Sequence, residues 1–182
     1  MKSDTVFGHL VHQFAIHPEN LPTEALSYIL RTSPAASRAF TNFIRQIVSD
    51  CPDGLRFETQ QVGLEQSIPD MKCFDDEGNK RVIVENKFWA GLTDNQPVTY
   101  ISELPAGIGA LVLLVVPESR LQIVWEEVIS RCRIKEILVG NVQKLTTMIS
   151  AEIGEGHYLR TLYFAIFFST VSLCSLPWSS RR

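Results

Sequence analysis

Ile68-Pro69-Asp70, followed after a short polar loop by Val82-Ile83-Val84-Glu85-Asn86-Lys87, is the stretch that decides the fold. The second segment has the composition of a strand. Alternation along a strand puts Glu85 and Lys87 on one face and Val84 and Asn86 on the other. Between the two segments, Asp75-Asp76-Glu77-Gly78-Asn79-Lys80 has the polar, glycine-containing character that closes a hairpin. A loop of two or four residues centred on Glu77 and Gly78 sets position 70 directly opposite position 85, with Cβ atoms roughly 5 Å apart. Two carboxylates then meet beside one lysine. An odd-numbered loop would turn one of them to the other face.

Like charges opposed across a sheet repel, and a divalent cation offsets that repulsion. Hard oxygen ligands from Asp70 and Glu85 suit Mg²⁺, with Mn²⁺ as substitute, because these ions take one or two protein carboxylates and fill their other positions with water and phosphate oxygens. Lys87 then stands where it would orient a water nucleophile or stabilise charge on phosphorus. The competing reading is an ordinary surface hairpin with solvated charges.

The wider constellation favours the first reading. Pro69-Asp70, the Glu85-Asn86-Lys87 triplet, and Gln96 with Tyr100 resemble the motifs of the PD-(D/E)xK nuclease superfamily, and Ile83 to Thr93 is similar to a bacterial branch of it that carries Glu-Asn-Lys and QxxxY motifs. Leu21-Pro22-Thr23-Glu24-Ala25-Leu26 resembles the helix that supplies that branch's additional acidic residue. The resemblance covers about residues 20 to 127. It implies an α/β fold with a restriction-endonuclease-like αβββαβ core, a mixed central sheet flanked by helices. It further implies that Asp70 and Glu85 are metal ligands, Lys87 the catalytic lysine, Glu24 an accessory acid, and Gln96 with Tyr100 a helical pair on the substrate side. The implied activity is metal-dependent hydrolysis of phosphodiester bonds, in DNA before RNA, in a bacterial or phage-defence setting. A second function class is an inactive nuclease-fold module that binds nucleic acid or serves as a scaffold.

Several of these residues have structural explanations as well. Glu24 falls in the first turn of a helix, where a carboxylate favours the macrodipole. Gln96 follows Thr93 at capping-box spacing, although Pro97 fits a first turn and shifts the cap toward Asp94 or Asn95. Tyr100 shares a helical face with Gln96 and suits a half-buried packing position equally well.

At 182 residues with 45% apolar content, the chain is long enough to bury one substantial core. Its net charge of −3 is not that of a passive nucleic-acid coat. It leaves room for a locally basic groove, and Lys72, Lys80, Arg81 and Lys87 cluster near the expected site. Cys51, Cys73, Cys132 and Cys174 lack CxxC or His-rich spacing, which argues against structural zinc. No secretion signal opens the chain, and reduced thiols in a cytoplasm are expected. His9, His12 and His17 lack a matching further ligand.

Along the chain, residues 22 to 31 read as a helix with Ala25, Leu26, Ile29 and Leu30 inward. Ser33-Pro34 reads as the cap and first position of a second helix that runs to about Val48 and buries Phe40, Phe43, Ile44 and Ile47. Leu55 to Val62 is the first strand, Asn95 to Leu104 a helix, and Gly109 to Val116 a buried strand ended by Pro117. Leu121 to Arg131 and Ile134 to Ile153 read as helices, with Gly140 a break. Residues 1–156 are assigned to the nuclease-like domain and 157–182 to an apolar tail. Thr161 to Ser180 carries no charge. That tail is open to three readings: a packed helix or strand, a membrane segment flanked by Arg160 and Arg181-Arg182, or the product of a truncated frame. The partners expected are nucleic acid and a second copy of the chain, with a membrane only through the tail.

Overall fold

The computed structural model describes residues 20–59, 69–88, 90–94, 96–154 and 156–163. Helix α1 (Asn20–Thr32) and helix α2 (Pro34–Arg45) are divided by Ser33, whose hydroxyl accepts a hydrogen bond from the Ala36 amide at 3.3 Å. Serine at the cap and proline in the first turn satisfy or remove amide donors that have no intrahelical partner. Leu26 and Leu30 of α1 are buried, as are Phe40, Phe43 and Ile44 of α2, while Ala25, Ile29 and Ile47 are partly buried. Helix α2 ends at Arg45 rather than near Val48, and a turn closed by the Ile47 and Val48 amides on the Ile44 carbonyl follows it.

Seven strands form one mixed sheet in the order β1-β2-β3-β4-β7-β6-β5. They are β1 (Arg56–Thr59), β2 (Met71–Phe74), β3 (Lys80–Asn86), β4 (Ala110–Val116), β5 (Val139–Leu145), β6 (Met148–Ile153) and β7 (His157–Tyr163). β1, β2 and β3 are antiparallel neighbours, β4 runs parallel to both β3 and β7, and β5, β6 and β7 are again antiparallel. Every residue of β4 is buried. This is the signature of a strand covered on both faces. Leu111, Leu113 and Val115 pack with α1 and α2, whereas Ala110, Val112, Leu114 and Val116 pack with α3 (Val98–Ser102) and α4 (Leu121–Ile134). The protein is therefore an α/β fold with helices on both faces of the sheet.

The expected first strand begins at Arg56, one residue after Leu55, and its far end lies outside the described residues. The helix expected over Asn95 to Leu104 is confined to Val98–Ser102, with Gln96 and Pro97 in the turn before it. Residues 134 to 153 do not form a helix. After α4 ends, β5 and β6 make a hairpin in which Leu145 pairs with Met148. Ile149, Ala151 and Ile153 alternate at the two-residue spacing of a strand, which in β6 puts them into the core with α4 and leaves Glu152 exposed. Residues 157–163, which the sequence reading gave to the tail, form the strand between β4 and β6, and 164–182 lie outside the described residues. Among the described residues no helix is long and apolar enough to cross a membrane.

Candidate functional site

The β2-β3 hairpin sets the site. Its loop, Asp75 to Asn79, has an odd number of residues, and Phe74 pairs with Lys80. Taken alone, that register would put Asp70 out of step with Glu85. A β-bulge restores it. Cys73 pairs with Val82 and Met71 with Val84, so Arg81 is the extra residue on β3 and position 70 continues the ladder toward position 85. The bulged Arg81 is buried and ion-paired, at 3.1 Å to Asp50 Oδ2 and 3.5 Å to Asp75 Oδ2. Asp75 in turn accepts from the Asn79 amide at 2.7 Å, and Gly78 takes the positive φ of 85° that the loop requires.

Glu85 and Lys87 emerge from the end of β3 on one face, and both are buried. Lys87 Nζ lies 2.8 Å from Glu85 Oε1. Gln96 Nε2 donates to the same oxygen at 2.9 Å and lies 2.6 Å from the Tyr100 hydroxyl, which donates to Glu85 Oε2 at 3.0 Å. Burial raises the Tyr100 pKa well above the usual phenol range, and the nearby charges of Glu85 and Asp70 reinforce the shift. The phenol therefore stays protonated as a donor. Asp70 is held from the other strand, its Oδ2 accepting the Asn86 amide at 2.6 Å. Asn86 points the opposite way from Glu85 and donates its side-chain amide to Thr23 Oγ1 at 2.6 Å, which ties α1 to the end of β3.

The helix begins at Val98 after Pro97, so Thr93 and Gln96 do not form a capping box. Within the preceding turn Gln96 Oε1 accepts from the Thr93 amide at 3.2 Å, while its Nε2 serves Glu85 and Tyr100. Asp70, Glu85, Lys87, Gln96 and Tyr100 thus come together. Glu24 is exposed on α1, and the α1 residue that reaches the site is its neighbour Thr23. The expected basic groove is largely spent on internal pairs: Lys72 and Lys80 both hold Glu103, and Arg81 is buried with its aspartates.

Two contributors had no signal in local sequence. Arg120, just before α4, donates to the carbonyls of Lys87 and Ala90 at 3.1 and 2.9 Å. Arg131 of α4 donates to the carbonyls of Leu92 and Gln96 at 3.2 and 2.8 Å, contacts that of Thr93, and is oriented by Glu127 at 2.5 Å. Two arginines from one helical segment thereby fix the loop that carries Gln96. Only their long-range partners reveal this.

The donor chemistry is hard oxygen. Asp70 and Glu85 fit an ion such as Mg²⁺, which needs only one or two protein carboxylates. Among the described residues no three His, Cys, Asp or Glu side chains gather into a ligand group. Cys51, Cys73 and Cys132 are buried free thiols, and burial raises the pKa of each, to about 11 for Cys51 and Cys132. The N-terminal histidines lie outside the described residues. No protein-family model, curated protein or solved structure matches the chain.

Proposed function

We propose that this protein is a metal-dependent nuclease of the PD-(D/E)xK type that hydrolyses phosphodiester bonds in DNA. The observation that carries the reading is the convergence of Lys87, Gln96 and Tyr100 on Glu85, with Asp70 held opposite by the Asn86 amide. The order of α1 and α2, three antiparallel strands, a short helix and a parallel strand is consistent with this reading.

Asp70 and Glu85 would hold Mg²⁺ or Mn²⁺, and the ion would supply Lewis-acid polarisation of the phosphate and acidify a bound water. Glu85 is buried and Asp70 partly buried, and two carboxylates at one site present the electrostatic environment that a divalent cation suits. Lys87 presents a point charge and rotatable donors, suited to orienting a water nucleophile and to stabilising charge as it develops on the phosphate oxygens. Gln96 and Tyr100 fix the Glu85 carboxylate, so little reorganisation remains when substrate arrives.

One observation favours a second reading, an inactive nuclease-fold module. Glu85 already accepts three donors within 3.0 Å, which is what a purely structural buried carboxylate also needs. A carboxylate offers about four lone-pair sites, so one remains. Cleavage of linear, circular and single-stranded DNA with Mg²⁺, Mn²⁺ or excess chelator separates the two readings. The nuclease reading expects metal-dependent products. Absence of cleavage on every substrate, by folded protein, favours the module.

A further inference from the structure

On the face of the sheet opposite the carboxylate site, β5, β6, β7 and the end of α2 line a cavity of about 350 Å³ that is open to solvent. Gln46, Asn141, Gln143, Ser150, Tyr158 and Arg160 supply polar groups to it. The residues alternate as strand geometry requires. Arg160 of β7 stands across from Ser150 of β6, while Leu159 on the other face is fully buried against the opposite core. A cavity of this size falls in the range of small-ligand sites, roughly 300 to 1,000 Å³.

Arg160 is the unusual member. Among the described residues its buried Nε has no hydrogen-bond acceptor and no carboxylate pairs with its guanidinium. Guanidinium does not lose its proton in proteins, so it cannot relieve burial by neutralising, and a partly desolvated cation of this kind is stabilised by an anion. Burial already acts against its charged form. Glu152, the other charged residue lining the cavity, is exposed and sits opposite Tyr158 rather than Arg160.

We propose that this cavity is a second binding site, for a small molecule carrying a phosphate or carboxylate group, with Arg160 as the anchor for the oxyanion and the amides and hydroxyls of Gln46, Asn141, Gln143, Ser150 and Tyr158 as partners for the rest of the ligand. The planar fork of arginine matches both oxyanions in bidentate fashion. Glu152 at the opening disfavours highly charged ligands and biases the site toward monoanions. The sheet separates this cavity from Asp70 and Glu85, and its occupancy is independent of the chemistry there.

The test is calorimetric titration of the full chain with inorganic phosphate, phenyl phosphate and benzoate, without divalent metal. Wild type is expected to bind at least one of them saturably, one per chain. Arg160→Gln should weaken that binding at least tenfold, Glu152→Gln should strengthen it, and Asp70→Asn should leave it unchanged. Arg160→Lys, which keeps the charge and loses the fork, should fall between wild type and Arg160→Gln. If Arg160→Gln does not fold, the Glu152→Gln and Arg160→Lys responses decide. Lack of saturable binding by wild type to all three probes up to about 10 mM overturns the proposal. So does binding that is equally strong in the Arg160 variants, or binding that is lost in Asp70→Asn.

Discussion

Lys87 Nζ sits 2.8 Å from Glu85 Oε1, and both side chains are buried at the end of β3, where the Lys87 amide continues the ladder by donating to the Val115 carbonyl at 2.8 Å. A buried pair of this kind contributes little net stability against an apolar replacement, yet removal of one partner leaves the other uncompensated. The proposed nuclease function gives a reason to keep it. Lys87→Ala should cut turnover by on the order of a hundredfold or more while metal affinity changes little. Lys87→Met, of similar length without charge, separates charge from packing. If both variants match wild type in metal-dependent cleavage, Lys87 is structural.

Tyr100→Phe tests the orienting network. The lost hydroxyl donates to Glu85 and lies against Gln96 Nε2 in a buried setting, so its removal should destabilise the fold by roughly 1–3 kcal/mol. Thermal unfolding with matched baselines measures this. A melting temperature unchanged from wild type would mean that the contact contributes nothing.

Arg131→Lys should act at a distance. Lysine cannot reproduce a fork that reaches the carbonyls of Leu92, Thr93 and Gln96 together, so the loop should loosen. Hydrogen exchange at the Thr93 and Gln96 amides should accelerate about tenfold or more while β4 remains protected. Uniform acceleration across the sheet would instead indicate general destabilisation.

Acid sensitivity follows from two carboxylates. Burial opposes the charge on Asp75, but hydrogen bonds from Asn79 and the charge of Arg81 outweigh it and hold the pKa below the usual value. Glu103, partly buried, is likewise depressed by hydrogen bonds and charge from Lys80 and Lys72. A carboxyl whose folded pKa is lowered contributes stability above its unfolded pKa, about 4, and that contribution is lost as pH falls through the folded value. Denaturation midpoints should therefore drop below about pH 4, and Asp75→Asn should flatten that dependence. An equally steep acid limb in Asp75→Asn would exclude it as a cause.

The register of Asp70 and Glu85 was legible in the sequence for an incomplete reason. An even loop centred on Glu77 and Gly78 gives the correct offset, but the chain reaches it with an odd loop and a bulge at Arg81. What stabilises the bulge is Asp50, thirty-one residues away, and local sequence does not announce such a partner. The same limit hid Arg120 and Arg131. β6 was read as helix even though Ile149, Ala151 and Ile153 alternate at strand spacing, because so short an alternation was absorbed into the longer stretch from Ile134, and only its pairing with β7 sets it apart. β4 was easy to read. An unbroken run of seven apolar residues ended by Pro117 has little other use.

Asp70→Asn addresses the ligand assignment. Loss of one of two carboxylates should weaken Mn²⁺ binding at least tenfold, whereas Lys87→Ala should not. Ca²⁺, which tolerates looser geometry and more ligands, should support cleavage poorly compared with Mg²⁺. Indistinguishable Mn²⁺ affinity in wild type and Asp70→Asn would remove Asp70 from the ligand set.

The most direct measurement is cleavage of closed circular DNA by wild-type protein and by Glu85→Gln, each shown to be folded, in Mg²⁺ and in excess chelator. Wild type should give nicked or linear products in Mg²⁺ alone, with Glu85→Gln reduced at least a hundredfold. Equal cleavage in chelator, or by Glu85→Gln, would contradict the proposed nuclease function.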